Sequence, residues 1–249
     1  MSTTVDQLLA DRARAGFPTP ARRRQGLPAP VRDLHRRVLG HFATTGQPPP
    51  PATLAAWADE LGVGLQDALG RLVEADLVEA DPSGGLAGAY PFVGTSRGHE
   101  VRLPGGLIVQ TYCAVDALGI PAMLDRDATI TSHDPLTGTP VTVQIQGGKV
   151  HWDPAGAVVG YCTDDGEVGQ VACCRCPLIN FHASSATAQA WQDRHRQPLT
   201  VLSMPQALEL GAAAFAGLLR SPDSDDQDLS GAAATAPRTI VGRRDQPTP

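Results

Sequence analysis

The residue types best suited to chemistry in this sequence are five cysteines, and one aspartate that stands three positions after the first of them. Cys113 and Asp116 lie in an apolar stretch, and a helix there would place both side chains on one face. Apolar surroundings favour the protonated form of a carboxyl group. The pair would then combine a thiol nucleophile with a group that holds and delivers a proton. The structural alternative is a buried thiol beside an aspartate that caps the start of a helix.

Three more thiols stand close together as Cys173, Cys174 and Cys176, whereas Cys162 stands apart. Cys173 and Cys176 form a C-x-x-C pair, a spacing found in redox centres and in zinc sites. No thioredoxin-like βαβ pattern surrounds the pair, and no second ligand pair at a similar spacing accompanies it. Thiolates are nevertheless soft ligands suited to thiophilic metals, so a soft-metal site is a third possibility.

The composition indicates an ordinary globular protein that works inside the cell. The chain has 249 residues, of which 42% are hydrophobic and 18% charged. It contains no apolar run that could span a membrane and no readable signal peptide, so we expect a cytoplasmic protein with no membrane partner. In that reducing compartment the cysteines are expected to be free thiols, metal ligands or catalytic groups. The net charge of −6 argues against a general nucleic-acid binder.

The elements that must position the thiols fall into four predicted segments. Residues 1–26 form a basic arm, and residues 27–82 form a helical domain with winged-helix-like character. Residues 83–220 form an α+β catalytic domain, and residues 221–249, which combine an acidic run with small residues, form a disordered tail.

The second segment shows apolar residues at helical spacing and predicts three short helices followed by the β-type run Val78-Glu79-Ala80. This order is typical of a winged helix-turn-helix unit. A DNA-reading third helix must approach phosphates, but this segment is acidic overall, and its third helix carries Arg71 as its one cation. A packing domain without DNA contact is therefore the favoured interpretation.

The third segment predicts a mixed, largely antiparallel sheet with helices. Short β-type runs separated by glycine and proline turns predict strands at residues 106–110, 128–132, 140–146, 157–161 and 200–203. Helices are predicted at residues 112–124, 187–196 and 204–219.

Several motifs, in one order along the chain, resemble the organomercurial (alkylmercury) lyases. They are Tyr112-Cys113-Ala114-Val115-Asp116-Ala117-Leu118, Ser132-His133-Asp134, Cys176-Pro177-Leu178-Ile179-Asn180-Phe181, and Thr187-Ala188 before Trp191. The resemblance covers residues 28–219. It implies a winged-helix-like N-terminal domain fused to a mixed sheet-and-helix core, so the helix-turn-helix pattern does not imply transcription.

Carried over motif by motif, the resemblance implies that Cys113 and Cys176 are the catalytic cysteines and that Asp116 is the catalytic carboxylate. All three would also contact mercury, which is both substrate and product. The implied reaction is protonolysis of the carbon–mercury bond of R–Hg⁺ to R–H and Hg(II), with no cofactor. The implied partners are organomercurials, low-molecular-weight thiols that assist release, and a mercuric reductase that takes over Hg(II).

Two other functions remain open at this stage. A winged helix beside a thiol cluster also suits a regulator that responds to soft metals, and its discriminating property would be DNA affinity. A protein that sequesters mercury without cleaving the carbon–mercury bond would carry the same ligands.

Overall fold

The computed structural model describes residues 3–14, 18–82, 84–162 and 175–219. Within these ranges no helix combines the length and the apolar character needed to cross a membrane. The predicted tail at residues 221–249, Cys173 and Cys174 lie outside the described residues.

Eight α-helices occur in the described ranges, and their ends follow local sequence signals. Proline occupies the first turn of several of them, where a missing N–H costs nothing. A left-handed Gly46 ends the third helix, and Ser184 with Thr187 forms a capping box at the start of the seventh. The helices are α1 (Thr3–Arg14), α2 (Pro20–Gln25), α3 (Ala29–Thr45), α4 (Pro51–Glu60), α5 (Leu65–Glu74), α6 (Ala114–Leu124), α7 (Ser185–His195) and α8 (Met204–Phe215).

The strands of the described residues form two sheets, and all of their pairings are antiparallel. The larger sheet has eight strands in the order β1-β2-β3-β5-β4-β6-β7-β8, and the smaller has three in the order β10-β9-β11. The strands are β1 (Val78–Ala80), β2 (Leu86–Ala89), β3 (Phe92–Val93), β4 (Glu100–Arg102), β5 (Ile108–Thr111), β6 (Ala128–His133), β7 (Pro140–Gln146), β8 (Lys149–Asp153), β9 (Val158–Cys162), β10 (Asn180–His182) and β11 (Leu199–Ser203). The predicted α+β class with a largely antiparallel sheet is confirmed.

Helix α6 is the central element of the core and is apolar on almost every side, as a fully buried helix must be. It crosses α8 so closely that the backbones nearly touch. A Cβ atom on Gly119 of α6 would lie 2.8 Å from the carbonyl oxygen of Gly211 in α8 and 2.4 Å from Cδ2 of Phe215. The two glycines therefore permit a helix crossing that larger residues would prevent.

The helical segment and the sheet share one hydrophobic core. Helices α3, α4 and α5 lead into β1, which pairs with β2, and β2 continues through β3 into the large sheet. Phe42 of α3 stacks on Phe92 of β3 with ring centroids 5.7 Å apart. The predicted three helices are present. That they form a winged-helix unit, and that the segments are separate domains, stay predictions.

Candidate functional site

Cys113 lies where β5 ends and α6 begins, and its position differs from the predicted one. The sequence predicts a helix from residue 112, but α6 starts at Ala114 and Cys113 is the extended N-cap residue, with φ −153°. Its thiol accepts a hydrogen bond from the backbone N–H of Asp116, with Sγ 3.5 Å from the nitrogen. A thiol here takes the role that a serine or aspartate oxygen usually plays. Capping geometry, rather than two positions on one helical face, therefore brings Cys113 and Asp116 together.

Cys176 opens a single 3₁₀ turn, Cys176–Leu178, directly before β10. The turn closes through a hydrogen bond from the N–H of Ile179 to the carbonyl of Cys176, at 3.1 Å. The N–H of Ala114 in turn donates to the carbonyl of Ile179, also at 3.1 Å. Because this bond joins the first residue of α6 to the turn that carries Cys176, it fixes the two thiol-bearing segments side by side.

The structure brings the three predicted site residues into one cluster. The Sγ atoms of Cys113 and Cys176 and a carboxylate oxygen of Asp116 all lie within 4.8 Å of one another. The Sγ of Cys176 is 3.9 Å from Oδ2 of Asp116, to which its thiol can donate. All three residues are buried: Cys113 is 2% exposed, Cys176 3% and Asp116 4%. One soft ion placed between these atoms could contact all three.

Burial keeps this cluster close to electrical neutrality. It raises the pKa of Asp116 to about 7, because a carboxylate loses its hydration there. Burial also raises the pKa of Cys113. The pKa of Cys176 is raised by its hydrogen bond with Cys113 and by burial. The resting site therefore favours thiols over thiolates and holds a carboxyl group that exchanges its proton near neutral pH.

A small cavity of about 30 Å³ opens onto the cluster. That volume holds only one or two water-sized groups. Part of its wall is apolar and consists of Val115, Ile179, Ala214 and Phe215. The cavity can thus seat a heavy ion beside the thiols and offers an apolar surface to a small organic group attached to it.

Helix α1 contributes Arg12 to the same cavity, and sequence reasoning missed this residue. Val5 and Leu8 of α1 are buried, and α1 packs against α8. Arg12 follows on the same face at helical spacing, and its guanidinium donates a hydrogen bond to the hydroxyl of Tyr161. The spacing of residues 5, 8 and 12 was the available signal, but the prediction of a basic arm at residues 1–26 assigns that segment no function.

A second guanidinium, that of Arg23 in α2, also lines the cavity. It forms an ion pair with Asp76, whose other carboxylate oxygen accepts a hydrogen bond from the Tyr90 hydroxyl at 3.2 Å. Its charge is therefore offset by the carboxylate of Asp76, which does not itself line the cavity.

Other candidate residues of the sequence lie away from the cluster. The thiol of Cys162 is buried and accepts a hydrogen bond from Nε2 of Gln197 at 3.2 Å, outside the cavity lining. Asp134 of the Ser132-His133-Asp134 motif is fully buried and accepts hydrogen bonds from the backbone N–H groups of Leu136, Thr137 and Ala183. Its role is to hold a loop and the start of the α7 segment in place.

Comparisons with known proteins agree with the family resemblance found in the sequence. Residues 94–216 match the family model described as MerB, alkylmercury lyase. An alkylmercury lyase of Staphylococcus epidermidis is 31% identical over 189 residues, which are 75% of this chain and 83% of that protein. One of Streptomyces lividans is 34% identical over 115 residues, which are 46% of this chain and 53% of that protein. The crystal structure of the mercury-bound form of MerB2 has a TM-score of 0.68 at 19% identity and covers 80% of this chain and 96% of that one, so the fold is shared.

Proposed function

The chain belongs to the alkylmercury lyase family, and we propose that it cleaves the carbon–mercury bond of organomercurials by protonolysis. The observation that carries the proposal is the buried cluster of two thiols and one carboxyl group within 4.8 Å of one another. Catalytic roles for Cys113, Asp116 and Cys176 are part of this proposal.

Capture of the substrate follows from ligand softness. Mercury(II) is a soft ion that prefers sulfur to oxygen and nitrogen ligands. One cysteine thiol displaces the group X from R–Hg–X, and its proton leaves with X as HX. The second thiol then adds to mercury and gives its proton to the Asp116 carboxylate. Two thiolates bound to R–Hg⁺ load electron density onto mercury and weaken the opposite carbon–mercury bond.

Asp116 then delivers that proton to the departing carbon. The carbon–mercury bond pair takes up the proton, which releases R–H, while Hg(II) stays on the two thiolates and Asp116 returns to its carboxylate form. In sum, R–Hg–X and two thiols give R–H, HX and a mercury bis-thiolate, with no change in oxidation state. A pKa of about 7 suits Asp116 to both accepting and donating the proton at neutral pH. The 3.9 Å distance to Cys176 Sγ supports a direct transfer from that thiol.

The remaining expectations complete this scheme. We propose that no organic cofactor takes part, that low-molecular-weight thiols release Hg(II), and that a mercuric reductase then receives it. A cytoplasmic location suits a reaction that requires reduced thiols. The unit formed by α3, α4 and α5 is proposed to be winged-helix-like and to pack against the sheet rather than bind DNA, which the contact between Phe42 and Phe92 supports.

The decisive experiment incubates the reduced protein and excess thiol with phenylmercury and measures benzene by gas chromatography. We expect benzene from the wild type, and losses of several orders of magnitude for Cys113→Ser, Asp116→Asn and Cys176→Ser. Cys162→Ser is the matched control, because its thiol is equally buried but lies outside the cavity lining.

Folded, reduced protein that yields no benzene would remove the lyase proposal. Phenylmercury bound with its carbon–mercury bond intact would then indicate sequestration. A gel shift of promoter DNA that depends on Hg(II) would indicate the regulator.

A further inference from the structure

The apolar wall of the cavity is built where α6 and α8 cross. Gly211, Ala214 and Phe215 share one face of α8, because residues three and four positions apart lie above one another on a helix. A Cβ atom on Gly211 would lie 3.0 Å from the carbonyl oxygen of Val115, so this turn of α8 rests directly on the backbone of α6. The next turn then brings Ala214 and Phe215 into the wall of the cavity.

The ring of Phe215 has no room to withdraw from the cavity. It is 3% exposed, and a Cβ atom on Gly119 of α6 would lie 2.4 Å from its Cδ2 and 3.2 Å from its Cε2. A side chain in a close-packed interior moves only if its neighbours move, and the neighbour here is helix backbone. The chain just after α8 is also held, because the Arg24 guanidinium donates to the carbonyl oxygens of Gly217 and Leu218. Phe215 is therefore a fixed part of the wall.

The volume enclosed by this wall is small compared with the organic groups that mercury can carry. A cavity of about 30 Å³ has room for one or two water-sized groups, and the mercury ion must lie beside them. A methyl group is of that size. An apolar cavity that holds benzene measures roughly 150 Å³, so a phenyl group exceeds the space available. Because the cavity is not fully enclosed, a phenyl group can still lodge partly outside it, and phenylmercury reacts at a rate that the wall limits.

We propose that Phe215 is a specificity-determining residue, whose fixed ring makes small alkyl groups the favoured organic part of the substrate. The inference rests on the proposed carbon–mercury cleavage and names the substrate class of the same site. Ala214 has the complementary role, because its small side chain leaves open the space that the organic group occupies.

The test changes the volume of the cavity in both directions. Phe215→Leu removes part of the ring and enlarges the cavity, whereas Ala214→Val adds two carbon atoms and narrows it. Methylmercury and phenylmercury are each incubated with excess thiol, and gas chromatography of methane and benzene gives kcat/KM for both. The ratio of the phenyl to the methyl value in each variant is divided by the ratio in the wild type. The different intrinsic reactivities of the two carbon–mercury bonds then cancel.

We expect the ratio to rise about 10-fold or more in Phe215→Leu and to fall by a similar factor in Ala214→Val. This is the effect of one or two carbon atoms in an apolar pocket. Phe42→Leu is the matched control, because its ring is also buried but stacks on Phe92, outside the cavity lining. Its ratio should equal that of the wild type. If Phe215→Leu does not fold, Ala214→Val carries the test alone, because it removes no atoms from the core.

The outcomes distinguish this inference from the function on which it rests. Hydrocarbon release by the wild type, with the wild-type ratio in the folded cavity variants, would overturn the role of Phe215 alone. An equal shift in Phe42→Leu would also overturn it, because a general loosening of the core would then explain the change. Neither methane nor benzene from the wild type would remove the proposed cleavage, and the inference with it.

Discussion

Replacing Asp116 by asparagine should stabilise the protein relative to the wild type, and this gain should increase as the pH rises towards 7. The reason is that burial disfavours the ionised form of the native carboxyl group. Burial raises the pKa of Asp116 from 3.8 to about 7. Between those values the folded protein binds a proton that the unfolded chain releases. The free energy of unfolding of the wild type therefore falls as the pH rises from about 4 to about 7. At 1.36 kcal/mol per pKa unit, this group alone accounts for a fall of about 4 kcal/mol.

Asparagine cannot ionise, so the Asp116→Asn variant lacks this fall. Urea unfolding followed by circular dichroism, at pH values from about 4.5 to about 8.5 with a reducing agent, gives the free energy of unfolding of both proteins. The difference between them should move in favour of the variant across the acidic half of that range and level off above about pH 7. Asp59→Asn, which changes an exposed carboxyl group on α4, is the control.

A difference that stays constant with pH would refute the reasoning. Asp116 would then ionise in the folded protein as it does in the unfolded chain and could not hold a proton near neutral pH. The expected outcome, greater stability with lost benzene release, would show that the site keeps this carboxyl group at the expense of stability.

Three other predictions test the fold and the limits of the site. Gly119→Ala should lower the free energy of unfolding by about 2–3 kcal/mol, measured by urea unfolding, because its Cβ would lie 2.4 Å from a ring carbon of Phe215. Gly70→Ala, whose Cβ would meet nothing within 4 Å, should instead be neutral or slightly stabilising, and equal effects at both sites would contradict the close helix crossing. Asp134→Ala should cost about 2 kcal/mol or more by the same assay, because three backbone N–H groups lose their acceptor, and an unchanged midpoint would argue against that role. Cys162→Ser should release benzene at the wild-type rate in the gas-chromatographic assay. A variant that releases no benzene would show that this thiol takes part in the reaction.

Strands with their own periodicity could be predicted from the sequence. Strand β7 spans Pro140–Gln146 as expected, because the buried Val141, Val143 and Ile145 alternate with exposed or half-buried residues and a turn precedes them. Strand β6 was predicted to within one residue of its end. Each of these two strands buries one face, and the alternation of residue types records that burial directly.

The strands that were not predicted from the sequence show no such alternation of residue types. Strand β2 consists of small residues after Leu86, β3 has two residues, β4 and β10 have three each, and the pattern of β8 shows no fully buried position. Segments this short become strands because a neighbouring strand offers hydrogen-bonding partners, as β9 does for β10. That partner is distant in the sequence, so local residue preference carries little information about the pairing.

The site shows the same division between local and distant information. Cys113 and Asp116 are near neighbours in the chain, so their proximity could be predicted, although N-capping rather than a shared helical face produces it. Cys176 was located through its family motif. Arg12 had neither advantage, because it reaches the site only when α1 packs against α8.

Two opposing influences act on the thiol of Cys113, and their balance explains how the proposed reaction starts only with its substrate. Burial raises the pKa of the thiol, whereas the N-terminus of α6 and the N–H of Asp116 favour the thiolate. In the resting site burial prevails, and the buried thiols stay protonated. An arriving R–Hg⁺ supplies a positive charge that stabilises the thiolates, so the binding of mercury itself drives the loss of the thiol protons. Since Asp116 lies beside both sulfur atoms and has a pKa of about 7, the proton displaced by mercury stays within reach of the carbon that must receive it.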